Sequence, residues 1–125
     1  PHVVHGIELW EGKPIAYSLG NFIFHAYGEG RSASARIAPP YRREYMRPPA
    51  AYQSYLLLLR IQQHRTTAVE VVPVQLDQAG EPAIARDTAS EILARTARMG
   101  ADLGTELQVN GNHAFVACGG WRPCS

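Results

Sequence analysis

The sequence predicts a mixed α+β fold built mostly of β-hairpins with one clear helix. Three observations point there: short runs rich in Ile, Leu, Val and Tyr bounded by turn residues, one stretch of helical periodicity near residues 88–100, and an Asn-Gly pair between two late apolar runs. The predicted order is hairpin, long loop, hairpin, helix, hairpin.

The first hairpin joins residues 7–10 to residues 15–18 across Glu11-Gly12-Lys13-Pro14. Glycine permits the turn, and proline is confined to a strand's first position or to an edge. After the apolar residues 21–24 the composition changes: residues 25–52 carry Gly28, Gly30, Ser32 and Ser34, then Pro39, Pro40, Pro48 and Pro49, with Arg31, Arg36, Arg42 and Arg43 among them. That predicts a long loop. Compact domains keep such lengths for lids, binding loops or disordered segments. Within it, Tyr41-Arg42-Arg43-Glu44-Tyr45 offers guanidinium groups that suit an anion, and it also fits a solvated surface segment.

The second hairpin is expected over residues 55–62 and 68–76, around His64-Arg65-Thr66, with Pro73 marking an edge or a bulge. Residues 77–82 are turn chemistry. The helix follows. Asp87 or Thr88 is its expected cap, Glu91 stands three after Thr88 as in a capping box, Ile92, Leu93 and Met99 share a face, and Gly100 is the expected stop. Residues 105–109 and 114–117 form the third hairpin around Asn110-Gly111.

A chain of 125 residues, 46% hydrophobic, suffices for one core, so one domain or one piece of a domain is expected. A net charge of +1 lacks the basic excess of a nucleic-acid footprint. No apolar run approaches the roughly 18 residues of a membrane span, since Leu56-Leu57-Leu58-Leu59 is cut by Arg60. The chain opens on proline with no basic-then-apolar leader, so the start of the polypeptide is expected elsewhere. Cys118 and Cys124 leave a small disulfide loop and two free thiols equally open.

Spacing alone separates His2 from His5, because extended chain sets residues three apart on opposite faces, so the two share no metal ion unless the backbone turns between them. Glu8 and Glu11, flanking a turn, are expected to be solvated charges rather than a paired-carboxylate site. His25, His64 and His113 lie in loop-like surroundings, and no Ser/His/Asp set stands out. Asn21 has two readings: its amide lines a site, bonding a substrate or orienting a ligand, or it turns the backbone after a strand.

Pro1-His2-Val3-Val4, Gly6-Ile7-Glu8 and the unbroken Gly12-Lys13-Pro14-Ile15-Ala16-Tyr17-Ser18-Leu19-Gly20-Asn21-Phe22-Ile23-Phe24 form a long pattern. It resembles the CapA family of poly-γ-glutamate capsule biosynthesis proteins, whose fold is similar to calcineurin-like metallophosphoesterases. Residues 53–105 agree with the family in order and character. The resemblance implies that residues 1–125 are the C-terminal portion of a single CapA-like domain, the closing part of a metallophosphoesterase-like α/β sandwich. Residues 25–52 are then its variable loop and residues 110–125 a divergent tail.

By the same resemblance, His2 matches the second histidine of a Gly-His-x-His-like metal motif whose first histidine would precede Pro1. The other ligands would belong to a missing N-terminal part of the same domain. At His5 the family commonly shows glutamine and at His25 an acidic residue, so His5 is a possible site-lining position only. The implied cofactor is one or more divalent metal ions of unknown identity, held only in the full-length protein. The implied chemistry is metal-assisted hydrolysis of a phosphoester or of poly-γ-glutamate at the cell envelope. Two alternatives are a non-catalytic polymer-handling or assembly subunit with an incomplete metal site, and an unrelated free-standing α+β domain.

Overall fold

The computed structural model describes residues 2–22, 49–77 and 80–117. Within them, strand β1 (Ile7–Trp10) pairs antiparallel with β2 (Lys13–Ala16), Ile7 opposite Ala16 and Trp10 opposite Lys13. The turn is tighter than the sequence suggests. Only Glu11 and Gly12 lie between the strands, with φ of 48° and 75°, the type I′ pattern whose twist matches that of the paired strands. Lys13 and Pro14 therefore join the strand, where Pro14 is tolerated because each strand of a two-stranded sheet has an open edge.

The second hairpin is longer than expected, β3 (Gln53–Gln62) with β4 (Arg65–Leu76). Its turn is Gln63-His64, both in the left-handed region with φ of 47° and 64°. Two non-glycine residues here carry none of the Asn-Gly signal that usually marks such a turn, which is why the sequence placed it later. Arg60 pairs with Ala68 and Ile61 with Thr66, so Thr67 is the extra residue of a bulge, and its hydroxyl donates to the Arg60 carbonyl at 3.2 Å. Of the expected loop, residues 23–48 lie outside the described residues, and Pro49–Tyr52 forms a 3₁₀ turn leading into β3.

Strand β4 is the centre of the larger sheet. It lies between β3 and β7 (His113–Val116), with β6 (Leu107–Asn110) beyond β7, and its distal end also pairs with β5 (Pro82–Ile84). All neighbours are antiparallel. Strand β5 has no counterpart in the sequence reading, which gave Pro82 to a turn; three residues are too few for a periodic signal. Pro73 corrects a second expectation, for it sits inside the central strand. Its carbonyl accepts from the Ala85 amide at 2.9 Å, in the gap between the β7 pairing at Glu70 and Val71 and the β5 pairing from Val74 onward. A missing N–H facing that gap breaks no ladder bond.

Helix α1 runs Ala89–Ala101. Thr88 is its N-cap residue, yet no capping box forms: the Thr88 hydroxyl donates instead to Gln75 Oε1 at 3.0 Å, and Glu91 accepts from Arg95 one turn later at 3.0 Å. Gly100 does not stop the helix. It lies buried inside the last turn, and the stop is Gly104 at φ 75°, where the Thr105 amide bonds the Gly100 carbonyl and the Gly104 amide bonds the Ala101 carbonyl. Those two bonds are a Schellman motif. No helix among the described residues is long and apolar enough to cross a membrane.

The alternation of the strands sends Val69 and Val71 of β4, with Ala114 and Val116 of β7, to the face that meets Leu93 of α1. Val4, Ile7 and Tyr55 complete this buried cluster, while Ala85, Ala89 and Ile92 form a smaller one under the start of the helix. Tyr55 is 1% exposed and donates its hydroxyl to the His5 carbonyl at 3.3 Å. Burial pushes its phenol up to about 12 from the ordinary 10. The unfolded chain therefore loses this proton first, and the stabilisation present below pH 10 is lost as pH rises towards about 12. Comparing denaturant unfolding of the wild type and Tyr55→Phe across that window checks it: the variant should show the shallower alkaline decline, and equal slopes would clear the phenol of any role.

Candidate functional site

The hairpin register continues beyond its strands. Val4 bridges Leu19, and the His5 amide bonds the Ser18 carbonyl at 3.0 Å, both in the phase set by Ile7 opposite Ala16. Two residues further along in the same phase, His2 comes opposite Asn21, and the two are hydrogen-bonded. The returning segment also borders β3: Gly20 bridges Ser54, the Tyr55 amide donates to the Leu19 carbonyl at 3.1 Å, and the Ser54 hydroxyl donates to the same oxygen at 2.8 Å. Gly20 has φ of 83°, and a Cβ there would stand 2.6 Å from the Gln53 carbonyl oxygen. Only glycine allows this approach.

At that junction Asn21 is 5% exposed and uses both ends of its amide. Its Nδ2 donates to the Ala51 carbonyl at 2.8 Å and to the His2 carbonyl at 3.2 Å, while its Oδ1 faces His2 Nδ1 at 2.9 Å. One buried side chain thus ties together the first residues of the chain, the end of the first hairpin segment and the 3₁₀ turn before β3. The structural reading of Asn21 takes a particular form here: its amide holds another residue's ring and two backbone carbonyls from separate segments.

The other candidates scatter. The His5 side chain is exposed, and among the described residues no hydrogen bond joins its ring to His2 or Asn21; its backbone carbonyl is what the fold uses, as the acceptor for Tyr55. Glu8 pairs with Tyr17 rather than with Glu11: the Tyr17 hydroxyl donates to Glu8 Oε2 at 2.5 Å, and that bond, followed by desolvation and the Glu8 charge, raises the Tyr17 pKa. Glu11 and His64 occupy exposed turns. His25, Cys118, Cys124 and the stretch Tyr41-Arg42-Arg43-Glu44-Tyr45 lie outside the described residues.

Two features escaped the sequence reading. One is the Ala51 carbonyl as an anchor for Asn21; a backbone oxygen carries no signal in composition. The other is the partner of His113, which stands at the start of β7 rather than in the expected loop-like surroundings: its Nδ1 meets Glu70 Oε1 at 2.6 Å across β4 and β7, 43 positions away, where only the sheet register brings the two near. Among the described residues no three His, Cys, Asp or Glu side chains converge into a metal-holding group. The described residues alone therefore supply no such group around His2.

A mostly antiparallel sheet with one covering helix, and an imidazole held at its edge by a buried asparagine, defines a mixed α/β unit with a histidine-bearing corner. Residues 1–26, the stretch that builds this corner, match the bacterial capsule synthesis protein family PGA_cap. The likeness to capsule-synthesis proteins read from the opening motif is thus shown over that segment. No curated protein matches the chain.

Proposed function

We propose that this chain is part of a CapA-like protein of poly-γ-glutamate capsule biosynthesis at the cell envelope, and that His2 is one ligand of a divalent metal centre in a metallophosphoesterase-like hydrolase. The observation that carries this is a coincidence of position: the segment matching the capsule synthesis family is the one whose register delivers His2 to Asn21. A ligating histidine ordinarily donates its second ring N–H to an oxygen that fixes its orientation, and the Asn21 amide oxygen fits that part.

A bound divalent ion would supply Lewis acidity and a water of lowered pKa for attack on a phosphoester or a γ-glutamyl bond. What the chain's own residues supply is orientation. Asn21 holds the ring, Gly20 lets the segment press against β3, and Ser54 and Tyr55 fasten that segment by its Leu19 carbonyl and its edge. The remaining ligands would come from outside the described residues.

Metal analysis of the full-length protein, with turnover of a model phosphodiester and of poly-γ-glutamate, tests this. Bound metal in the wild type and a loss of at least about tenfold in metal affinity in His2→Ala is the expected result, in the range typical for damage to a metal site. Unchanged affinity in His2→Ala would remove His2 from the centre. Absence of both metal and turnover would replace the hydrolase by a polymer-handling or assembly subunit.

A further inference from the structure

The amide of Asn21 can be oriented without ambiguity. Asparagine oxygen and nitrogen are distinguished by their partners, and here the partners are decisive: one end of the amide faces two carbonyl oxygens, those of Ala51 at 2.8 Å and His2 at 3.2 Å. Carbonyl oxygens only accept, so that end is the NH₂ group. The opposite end, at 2.9 Å from His2 Nδ1, is then the amide oxygen, which also only accepts. The hydrogen between them must therefore come from the imidazole, and Nδ1 must carry it. A neutral imidazole has one N–H, so its lone pair for a proton or a metal is on Nε2.

From this geometry we infer that Asn21 is a positioning residue that locks His2 in the Nδ1–H tautomer and so makes Nε2 its ligating atom. The lock is built from buried parts. Asn21 is nearly inaccessible, its NH₂ is pinned by two backbone carbonyls from separate segments, and rotating the amide by a half-turn would set its oxygen against both. The cost of that misplacement, two unsatisfied or repelling buried groups, is what holds the tautomer. The functional meaning of the lock rests on the metal-site reading above, whereas the hydrogen-bond logic stands without it.

Nitrogen-15 NMR of the protein carrying ring-labelled histidine reads the tautomer directly, at a pH about two units above the ordinary histidine pKa of about 6.5. The His2 signals are identified by their loss in His2→Gln. The expected wild-type result is a protonated Nδ1 and an unprotonated Nε2; a protonated Nε2, or an exchange-averaged pair, overturns the lock, and this measurement needs no substitution at Asn21. In Asn21→Ala the pattern should shift to the averaged pair. An unaltered Nδ1–H signal in a folded Asn21→Ala would overturn the positioning role. Adding Zn²⁺ to the full-length protein separates the two ideas: a shifted Nε2 signal supports both, while an unmoved Nε2 beside an intact Nδ1–H supports the lock and removes the metal reading.

Discussion

Gly6→Ala is expected to destabilise the fold by about 3 kcal/mol or more, at the upper end of overpacking effects. An added Cβ at residue 6 would lie 2.6 Å from both the carbonyl carbon and the carbonyl oxygen of Met99 and 2.9 Å from the amide of Gly100. These are backbone atoms in the last turn of α1, so no flexible side chain can swing aside. Relief requires moving the helix end away from the strand, which opens the cluster that joins Val4 and Ile7 to Leu93. Denaturant unfolding checks this, and a loss below about 1 kcal/mol would show that the helix end shifts freely.

Leu93→Ala is the second large effect, expected to cost about 2–5 kcal/mol as for other buried leucine truncations. Leu93 is 1% exposed and is the helix's contribution to the cluster formed by Val4, Ile7, Tyr55, Val69, Val71, Ala114 and Val116. The strands around it are fixed by their ladders, so the cavity collapses poorly and the cost falls towards the top of that range. Thermal unfolding of the two variants side by side is informative. A mild Leu93→Ala phenotype would mean that the sheet carries its own core without the helix.

Much of the fold was legible because the relevant signals are local. The apolar runs at Ile7–Trp10, Gln53–Gln62 and Arg65–Leu76 and the amphipathic stretch with Ile92 and Leu93 each announce an element within a dozen residues. The misplacements share a cause, which is that their determinants are tertiary. Gly100 reads as a helix stop, but it lies inside the last turn, where Gly6 packs against its amide, and the positive φ that ends the helix falls at Gly104. Pro73 reads as an edge residue, but a gap between two partner strands accommodates it at the centre. Thr88 reads as a side-chain cap, but Gln75 takes its hydroxyl.

The candidate site was legible only in part, for the same reason. His2 and Asn21 were each singled out, one from the resemblance and one from its position after a strand, yet nothing in either residue predicts the other. A four-residue turn pairing residues 7–10 with 15–18 would set His2 opposite residue 23 instead. The observed pairing depends on Glu11 accepting φ of 48°, a conformation that propensity disfavours for glutamate.

That turn has a consequence at a distance. Because every pair from Trp10 with Lys13 down to Val4 with Leu19 keeps one phase, the length of the bend at residues 11–12 dictates which side chain confronts the imidazole ten residues away. Adding one residue that propagated into the ladder would exchange Asn21 for a neighbour and turn every side chain of the returning strand to the opposite face. An exposed bend of this kind would ordinarily be free to vary in length. Here it acts as a gauge block, and its two residues are as much a part of the histidine corner as the amide that touches the ring.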